Sequence, residues 1–353
     1  MQSSFFDLDN RYAQLNKLRD PLVELNRVID WELFRAPLSV LSEKPRKSAA
    51  GRKQIDRVLL FKMLVLQRLY NLADEALEYQ VKDRLSFMRF LGLSLSASVP
   101  DARTMWLFKE ELKECGLIEK LFERFHESLR ALNVELKSGQ IVDATFVTVP
   151  VQRNRREENA LIKEGAVPVE WGKNPRKLAQ KDTDARWTKK NGQSIYGYKD
   201  HINVDRDTKL ITAWEDTPAQ VHDGQMLEAV LRAPIDGGAE IHADSAYRGA
   251  EQEARLEKAG HTSRIHEKGT RNQPLTQEQQ SSNREKSRTR VRVEHVFGTM
   301  TNDMRGICIR TIGSARAHVQ IGLMNLTYNI KRVAVLIRKK HWGFDRVIAP
   351  VAS

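Results

Sequence analysis

The sequence predicts an α/β protein in which an all-helical unit precedes a mixed sheet flanked by helices. From Asp56 to about Val134, apolar residues recur at a spacing of three and four, which is typical of amphipathic helices. After Ser138 the pattern changes to short β-branched runs and then to alternating helix and strand patterns. The expected divisions are a polar, irregular N-terminal segment, a helical domain, a sheet domain and a C-terminal tail, at residues 1–55, 56–136, 137–340 and 341–353.

Local signals support each predicted element. In the helical unit, Asp101 is expected to cap a helix that Gly116 ends, and a further amphipathic helix is expected at 117–132. The sheet is expected to begin with a strand at 140–150 and a hairpin at 194–214. The remaining predicted elements are, in order, a helix at 223–233, a strand at 239–247, a helix at 249–259, a strand at 262–267 and long helices at 283–303 and 314–340.

Charge and composition limit the function. The chain of 353 residues carries 58 Lys and Arg against 46 Asp and Glu, a net charge of +12, which favours a polyanionic partner such as nucleic acid. No apolar run is long enough for a transmembrane helix, and the N-terminal residues do not resemble a signal peptide. Two cysteines cannot form a disulfide framework. We therefore expect a cytoplasmic protein that does not contact membranes.

A basic insertion at 152–192 interrupts the sheet domain. It is rich in Lys and Arg, and its few apolar residues include Trp171 and Trp187. Two interpretations remain open: a solvated loop, or a DNA-contacting loop that becomes ordered on binding.

Two aspartates lie in or directly after apolar strands. Asp143 interrupts Ile141-Val142-Asp143-Ala144, and Asp244 follows Ile241-His242-Ala243. A carboxylate in such a strand is costly unless it is paired or binds a metal ion. The alternative for each is an aspartate that caps the next turn.

A third carboxylate, Glu294, lies on a predicted helix that is rich in arginine. Glu294 is expected at the edge of a buried stripe formed by Val293, Phe297, Met300 and Met304. An adjacent sector carries Arg284, Arg288, Arg292 and His295, and a phosphate partner would explain this concentration of positive charge. The alternatives are an ion pair between Glu294 and Arg290 on a solvated face, and arginines that pair with acids of the same domain.

Together these stretches carry a family resemblance. Asp143, Asp244 and Glu294 resemble the DDE triad of transposases with a ribonuclease H-like fold, and more specifically bacterial insertion-sequence transposases of the IS-five family. The matching stretches are Ile141-Val142-Asp143-Ala144-Thr145, Gly197-Tyr198-Lys199-Asp200-His201, Ala243-Asp244-Ser245-Ala246-Tyr247-Arg248-Gly249, Arg290 to Gly298, and, in the helical unit, Leu66 to Leu77 and Pro100 to Thr104. Two positions differ from the pattern of relatives, because Ser287 replaces a tyrosine and Thr301 replaces a lysine.

The resemblance implies a ribonuclease H-like sheet and an enzyme that cleaves DNA at the ends of an element and joins the freed 3′-OH to target DNA. Asp143, Asp244 and Glu294 would be the catalytic residues and would hold two Mg²⁺ ions, with Mn²⁺ as a substitute. Double-stranded DNA, both terminal inverted repeats and target, would be the partner of a homodimer associated with the nucleoid. The helical domain is expected to recognise the ends of the element, with Arg57, Lys62 and Arg68 on a helix that enters a groove, or else to form a dimer interface. The expected DNA contacts are Arg284, Arg288, Arg290, Arg292, His295, Lys199 and His201. His201, His242 and His295 could be metal ligands, but His suits softer ions, so each is expected to be a DNA contact or a core residue.

Two other functions remain open. A catalytically inactive transposase relative could act as a DNA-binding repressor, and the changes at Ser287 and Thr301 favour that alternative. A non-specific ribonuclease H-like nuclease would account for the three acids but not for the helical domain.

Overall fold

The computed structural model describes residues 7–42, 54–131, 134, 136, 139–232, 240–270 and 272–339. The chain divides into two compact units, one formed by Met1–Val134 with Ile330–Ser353 and the other by Glu135–Asn329. Residues 48–53, which the sequence predicts to be a basic, glycine-containing link, and the expected tail at 341–353 lie outside the described residues. Among the described helices, none is long and apolar enough to cross a bilayer.

The N-terminal unit is helical, as the sequence predicts. Asp101 accepts a hydrogen bond from the backbone N–H of Thr104 at 2.7 Å and so caps a helix. Gly116, with φ of 54°, follows the end of that helix in the left-handed conformation. The helices that the sequence predicts here are α4 Arg57–Leu69, α5 Asp74–Asp83, α6 Leu85–Leu91, α7 Ala102–Glu114 and α8 Ile118–Ala131, numbered after three that precede them.

The expectation of an irregular N-terminal segment is wrong for residues 7–42. These residues form α1 Asp7–Lys17, α2 Pro21–Val28 and α3 Arg35–Ser39, with a 3₁₀ turn at Trp31–Phe34. Asp20 caps α2 by accepting from the N–H of Leu22, and Phe34 and Leu38 are fully buried. Each helix is too short to show a long apolar period, so the few buried anchors are hidden among polar residues.

The basic residues of α4 do not form a free DNA-reading surface. The Arg57 guanidinium pairs with Glu111 at 2.7 Å, and Arg68 is buried. The Lys62 ammonium lies 4.7 Å from the ring centre of Phe90 and 5.4 Å from that of Trp31. Burial lowers the pKa of Lys62 to about 8. The expectation that these three residues enter a DNA groove is therefore corrected, because all three are engaged within their own unit.

The second unit contains a mixed sheet flanked by helices, in agreement with the predicted fold class. Its described strands are β1 Gln140–Thr148, β2 Arg186–Lys190, β3 Gln193–Asp205, β4 Ile211–Pro218, β5 Glu240–His242 and β6 Thr262–Ser263. Its described helices are α9 Arg156–Lys163, α10 Val169–Gly172, α11 Pro175–Leu178, α12 Leu227–Val230, α13 Ala250–Lys258, α14 Gln277–Gly298 and α15 Ser314–Arg338, of which the last continues into the residues assigned to the other unit.

The strand order is β2-β3-β1-β5-β6, and β4 also pairs with β3. Gly197 of β3 lies opposite Thr148 of β1 and Arg186 of β2, so β2 and β4 share the edge of β3 that faces away from β1. β1 is antiparallel to β3 and parallel to β5, and β5 is parallel to β6. This is the ribonuclease H-like arrangement, with β1 at the centre of the sheet.

Several predicted elements are shorter than expected. The predicted helix at 223–233 is a 3₁₀ turn at Asp223–Met226 followed by the single turn of α12, and residues 233–239 lie outside the described part. β5 ends at His242, and β6 has only two residues. By contrast, α14 begins six residues earlier than predicted. Its first turns are polar and show no apolar period, but a capping box formed by Thr276 and Gln279 stabilises the start of the helix.

The basic insertion is folded and is not a solvated loop. It contains the short helices α9, α10 and α11 and ends in strand β2. Trp171 is fully buried, and its indole N–H donates to Glu158 at 2.8 Å. The apolar residues of this segment are few but large, so one buried indole can anchor several short helices.

Candidate active site

Asp143 lies in the middle of β1, the central strand. Its Oδ1 accepts from the N–H of Ala144 at 2.8 Å, and its Oδ2 accepts from the Arg290 guanidinium at 2.8 Å. The side chain is 15% exposed. A carboxylate at the sheet centre is tolerated here because both oxygens are hydrogen-bonded and one meets a positive charge.

Asp244 lies beside Asp143 in the strand register. β5 pairs with β1 in parallel, with Gln140 opposite Ile241 and Ile141 opposite His242. The same offset places Asp143 level with Asp244, which lies two residues beyond the last paired residue of β5. Asp244 Oδ1 caps the 3₁₀ turn Ser245–Tyr247 by accepting from the N–H of Ala246 at 2.7 Å. The capping interpretation is thus confirmed, and it leaves Asp244 at the same point of the sheet as Asp143.

Glu294 reaches this point from α14. Val293, Met300 and Met304 are buried and Phe297 is 9% exposed, so the predicted apolar stripe is confirmed and Glu294 lies at its edge. The Glu294 side chain is 53% exposed, and its Oε1 lies 3.5 Å from a nitrogen of Arg290. One guanidinium therefore connects Asp143 with Glu294, and the predicted Arg290–Glu294 pair is present.

The three carboxylates interact electrostatically. Burial raises the pKa of Asp143, the Ala144 N–H and the Arg290 charge lower it, and the negative charges of Asp244 and Glu294 raise it, so that the resulting pKa is about 6. Tyr247 is buried, and its pKa is raised by burial and by the charges of Asp143, Asp223 and Asp244. Its hydroxyl has no hydrogen-bond partner among the described residues. Sequence reasoning missed Tyr247, although it stands within the motif of Asp244.

The residues fit a divalent cation in part. Hard carboxylate oxygens beside a partnerless buried hydroxyl are suitable ligands for Mg²⁺ or Mn²⁺. Among the described residues, however, no set of three His, Cys, Asp or Glu side chains is arranged to hold a metal ion. Arg290 explains this, because its guanidinium lies between Asp143 and Glu294. Of the three acids, Asp143 and Asp244 lie level on adjacent strands, whereas Glu294 contacts the Arg290 guanidinium.

Lys199 and His201 are not available to DNA, which corrects their prediction as DNA contacts. The Lys199 ammonium is 10% exposed and is held by Asp223 at 2.7 Å and by the Val221 carbonyl at 2.6 Å. His201 is fully buried beside the Thr217 hydroxyl, and burial lowers its pKa to about 4. His242 is also a core residue. Lys199 and His201 of β3 therefore face packed elements of the same unit, which the sequence motif alone could not indicate.

The residues of the arginine sector of α14 fall into two groups, one paired with an acid and one exposed. Arg292 donates to Asp207 at 2.8 Å and to the Arg206 carbonyl at 3.0 Å, so the ion-pair alternative holds for this residue. Arg284, Arg288 and His295 are exposed. Within the described part of the chain, no ion pair involves Arg284 or Arg288. These two arginines remain candidate phosphate contacts.

The two residues that depart from the pattern of relatives have different surroundings. Ser287 donates to the Asn283 carbonyl at 2.7 Å and lies 3.3 Å from His266 Nε2. Thr301 is exposed in the π-helical turn Thr299–Asp303 that follows α14. Neither side chain replaces the positive charge that the resemblance places at position 301.

Asp200 provides a pH-dependent test of the core. It is fully buried, and its pKa is raised to about 8 by burial, although Asn325 donates to it at 3.0 Å. Because its pKa when unfolded is about 3.9, the folded state holds the proton more tightly. Its stabilising contribution is complete below about pH 4 and is lost as the pH rises to about 8.

We expect Asp200→Asn to remove this pH dependence, because Asn resembles the protonated acid and keeps the acceptor for Asn325. The free energy of unfolding of wild type minus that of the variant should fall by about 1–4 kcal/mol between about pH 5 and pH 8. Urea titrations at both pH values measure it, with the exposed acid Glu285→Gln as control. A constant difference would show that Asp200 is ionised in the folded protein.

The fold and the row of acidic residues define this unit as a ribonuclease H-like catalytic domain. Residues 135–330 match the family model described as "Transposase DDE domain", and residues 9–111 match the model described as "Transposase domain (DUF772)". The first match covers more than half of the chain, so the protein belongs to the DDE transposase family, whose members cleave and join DNA and generally use divalent metal ions. The prediction of a DDE transposase is confirmed at this level.

A solved structure is also similar to this chain. It is titled as the cryo-EM structure of a piggyBac transposase synaptic complex with hairpin DNA. The identity is 13%, the match covers 93% of this chain and 78% of the other, and the TM-score is 0.49.

Proposed function

We propose that this protein is an insertion-sequence transposase that cleaves DNA at terminal inverted repeats and joins the freed 3′-OH to target DNA. The observation that supports this most directly is the placement of Asp143 and Asp244 level with each other on adjacent strands, with Arg290 linking Asp143 to Glu294. Asp143, Asp244 and Glu294 are the proposed catalytic residues, and Mg²⁺ is the proposed cofactor, as two ions that Mn²⁺ can replace.

Each side chain of the proposed site has a separate role. Asp143 supplies carboxylate oxygens from within β1, Asp244 supplies them from beyond the end of β5, and Glu294 supplies a third carboxylate from α14. A bound divalent cation would activate the attacking water or 3′-OH and stabilise the leaving oxygen. Arg290 neutralises Asp143 in the absence of a cation. Once released, its charge lies one helical turn from Glu294 and can hold a phosphate of the strand being cut.

The proposed partners and cellular location are those that the resemblance to insertion-sequence transposases implies. Double-stranded DNA is the proposed partner of a homodimer in the synaptic complex, within the bacterial nucleoid, and the IS-five family is the proposed subgroup. The proposed domain plan keeps DNA binding or dimerisation in the helical residues 56–136 and catalysis in 137–340.

A second candidate is an inactive transposase-derived regulator that binds DNA without cutting it. The contact of Arg290 with both Asp143 and Glu294 and the changes at Ser287 and Thr301 favour this alternative. Incubation of the full chain with labelled terminal-repeat DNA and Mg²⁺ separates the two. Strand cleavage and joining support the transposase, whereas binding without cleavage supports the regulator.

The exposed arginines of α14 give a prediction about DNA affinity. Arg284→Ala combined with Arg288→Ala should weaken binding to duplexes of any sequence, because contacts with phosphates carry no sequence information. The slope of log K against log salt concentration should become shallower by about 1.8 units, at about 0.9 for each lost contact.

The control is Arg255→Ala, because Arg255 is equally exposed but pairs with Glu228 and Glu251. Fluorescence anisotropy at several salt concentrations without metal gives the slopes. An unchanged slope in the double variant would remove α14 from the DNA path.

A further inference from the structure

The hairpin formed by β2 and the start of β3 is a preorganised projection. Lys190 pairs with Gln193, so Asn191 and Gly192 form a two-residue turn. Both have positive φ, 50° and 81°, as a type I′ turn requires. Such turns match the twist of the strands, and β2 lies at one edge of the sheet that the described strands form. The hairpin, residues 186–196, is called the arm below.

The arm holds an indole ring outward. Trp187 is 45% exposed, and its ring centre lies 5.0 Å from that of Tyr196, with 35° between the planes. Tyr196 is buried, and its hydroxyl donates to the Asp182 carbonyl at 3.3 Å. One face of Trp187 is thus fixed on a buried ring, and a large part of the indole remains open to a planar partner.

The charge of the arm is positive throughout. Residues 185–199 contain no Asp or Glu. Lys189 and Lys190 are exposed near the tip, while Arg186 donates to the carbonyls of Thr183, Ala185 and Ile162. Side chains alternate along a strand, so Trp187 and Lys189 lie on one face of β2 and Lys190 lies on the other.

The tip of the arm lies close to the catalytic strand. The Lys190 ammonium is 5.4 Å from the ring centre of Phe146. Phe146 follows Asp143 by three residues, roughly 10 Å along β1. Phe146 and Asp143 lie on opposite faces of β1, whereas Trp187 and its partner Tyr196 lie on the face of the sheet that carries Asp143. A DNA strand that leaves the carboxylates along this face would pass Trp187 and Lys189.

A buried aspartate fixes the base of the arm. Asp182 is 2% exposed and accepts from the N–H of Ala185 at 2.8 Å, from the Tyr198 hydroxyl at 2.9 Å and from the N–H of Gly313 at 3.1 Å. These bonds join the start of β2 to β3 and to the residue before α15. The arm therefore costs little further ordering when a ligand binds.

We propose that the arm binds single-stranded DNA beside the active site, with a base stacked on Trp187 and a phosphate held by Lys189. This inference rests on the proposed function and specifies a partner surface for it. A base pair in a duplex presents its edges and keeps its faces stacked, whereas an unpaired base offers its face to an aromatic ring. An exposed, fixed indole with a lysine on the same face of the strand is therefore matched to a single strand.

The test uses the full-length protein in EDTA, so that binding is measured without cleavage. The probes are a labelled thymidine homopolymer of about 15 nucleotides and the duplex of the same length, followed by fluorescence anisotropy. Trp187→Ala should weaken binding of the single strand about tenfold and leave duplex binding within about twofold, and Trp187→Phe should retain most of the affinity because it keeps an aromatic face. Trp106→Ala is the control, because Trp106 is 47% exposed on α7.

Equal affinity of Trp187→Ala and wild type for the single strand would overturn the inference, as would an equal loss on single strand and duplex. Lys189→Ala should lower the single-strand salt slope by about 0.7 units, the value for one lost phosphate contact. An unchanged slope would also contradict it. The two hypotheses fail in different assays. If the arm does not bind single strands, the wild-type protein still cleaves terminal-repeat DNA. If the protein is not a transposase, it binds the homopolymer but does not cleave terminal-repeat DNA.

Discussion

Asp143→Asn, Asp244→Asn and Glu294→Gln should each reduce strand cleavage and joining below about one thousandth of the wild-type rate, the scale expected when a catalytic group is lost. Each change removes a negative charge and a hard oxygen ligand while keeping the side-chain shape. The basic surface is unchanged, so affinity for duplex DNA should stay within about twofold of wild type. Cleavage of terminal-repeat DNA in Mg²⁺ and anisotropy in EDTA measure the two effects separately.

Glu285→Gln is the matched control for Glu294→Gln, because Glu285 is also an exposed acid of α14. It should leave cleavage near the wild-type rate. If Glu294→Gln cleaves as fast as this control, Glu294 is not a catalytic residue, and the Arg290 contact is only a surface ion pair. If Asp143→Asn also remains active, the whole proposed site is wrong.

Gly197→Ala should be strongly destabilising, by about 3–5 kcal/mol, which is the range of severe core substitutions. Gly197 has φ of 149°, and an added Cβ would lie 2.2 Å from the Val147 carbonyl oxygen and 3.2 Å from the Thr148 Cα. The obstacle is backbone of β1, so it cannot move aside as a side chain would. Because β1 carries Asp143, any backbone shift that relieves the clash would also disturb the site.

Gly298→Ala is the control and should change the free energy of unfolding in the opposite direction. Gly298 has helical φ and ψ of −60° and −39°, and an added Cβ meets nothing within 4 Å. Alanine should stabilise the protein by about 0.5–1 kcal/mol, since it restricts the unfolded chain and suits a helix. Urea unfolding followed by circular dichroism gives both values. A Gly197→Ala variant as stable as wild type would mean that β3 does not approach β1 this closely.

The sequence predicted the elements whose signals are local. The period of α4 to α8, the cap at Asp101 and the β3–β4 hairpin are confirmed, because each depends on residues a few positions apart. The class of the fold followed from the order of these elements. The acids could also be found, because a carboxylate in an apolar strand is costly enough to be conspicuous in the sequence itself. The helices of residues 7–42 were missed because only tertiary contacts bury their scattered anchors.

Tertiary structure alone decided what each charged side chain does. Lys199, His201 and Arg292 looked like DNA contacts in their motifs, but Asp223, the Thr217 hydroxyl and Asp207 engage them from distant parts of the chain. The same holds for Arg290, whose position between Asp143 and Glu294 depends on packing α14 against β1, and for the exposure of Trp187 on the arm. Periodicity specifies which face of an element is apolar, whereas burial and ion pairing depend on which element packs against that face.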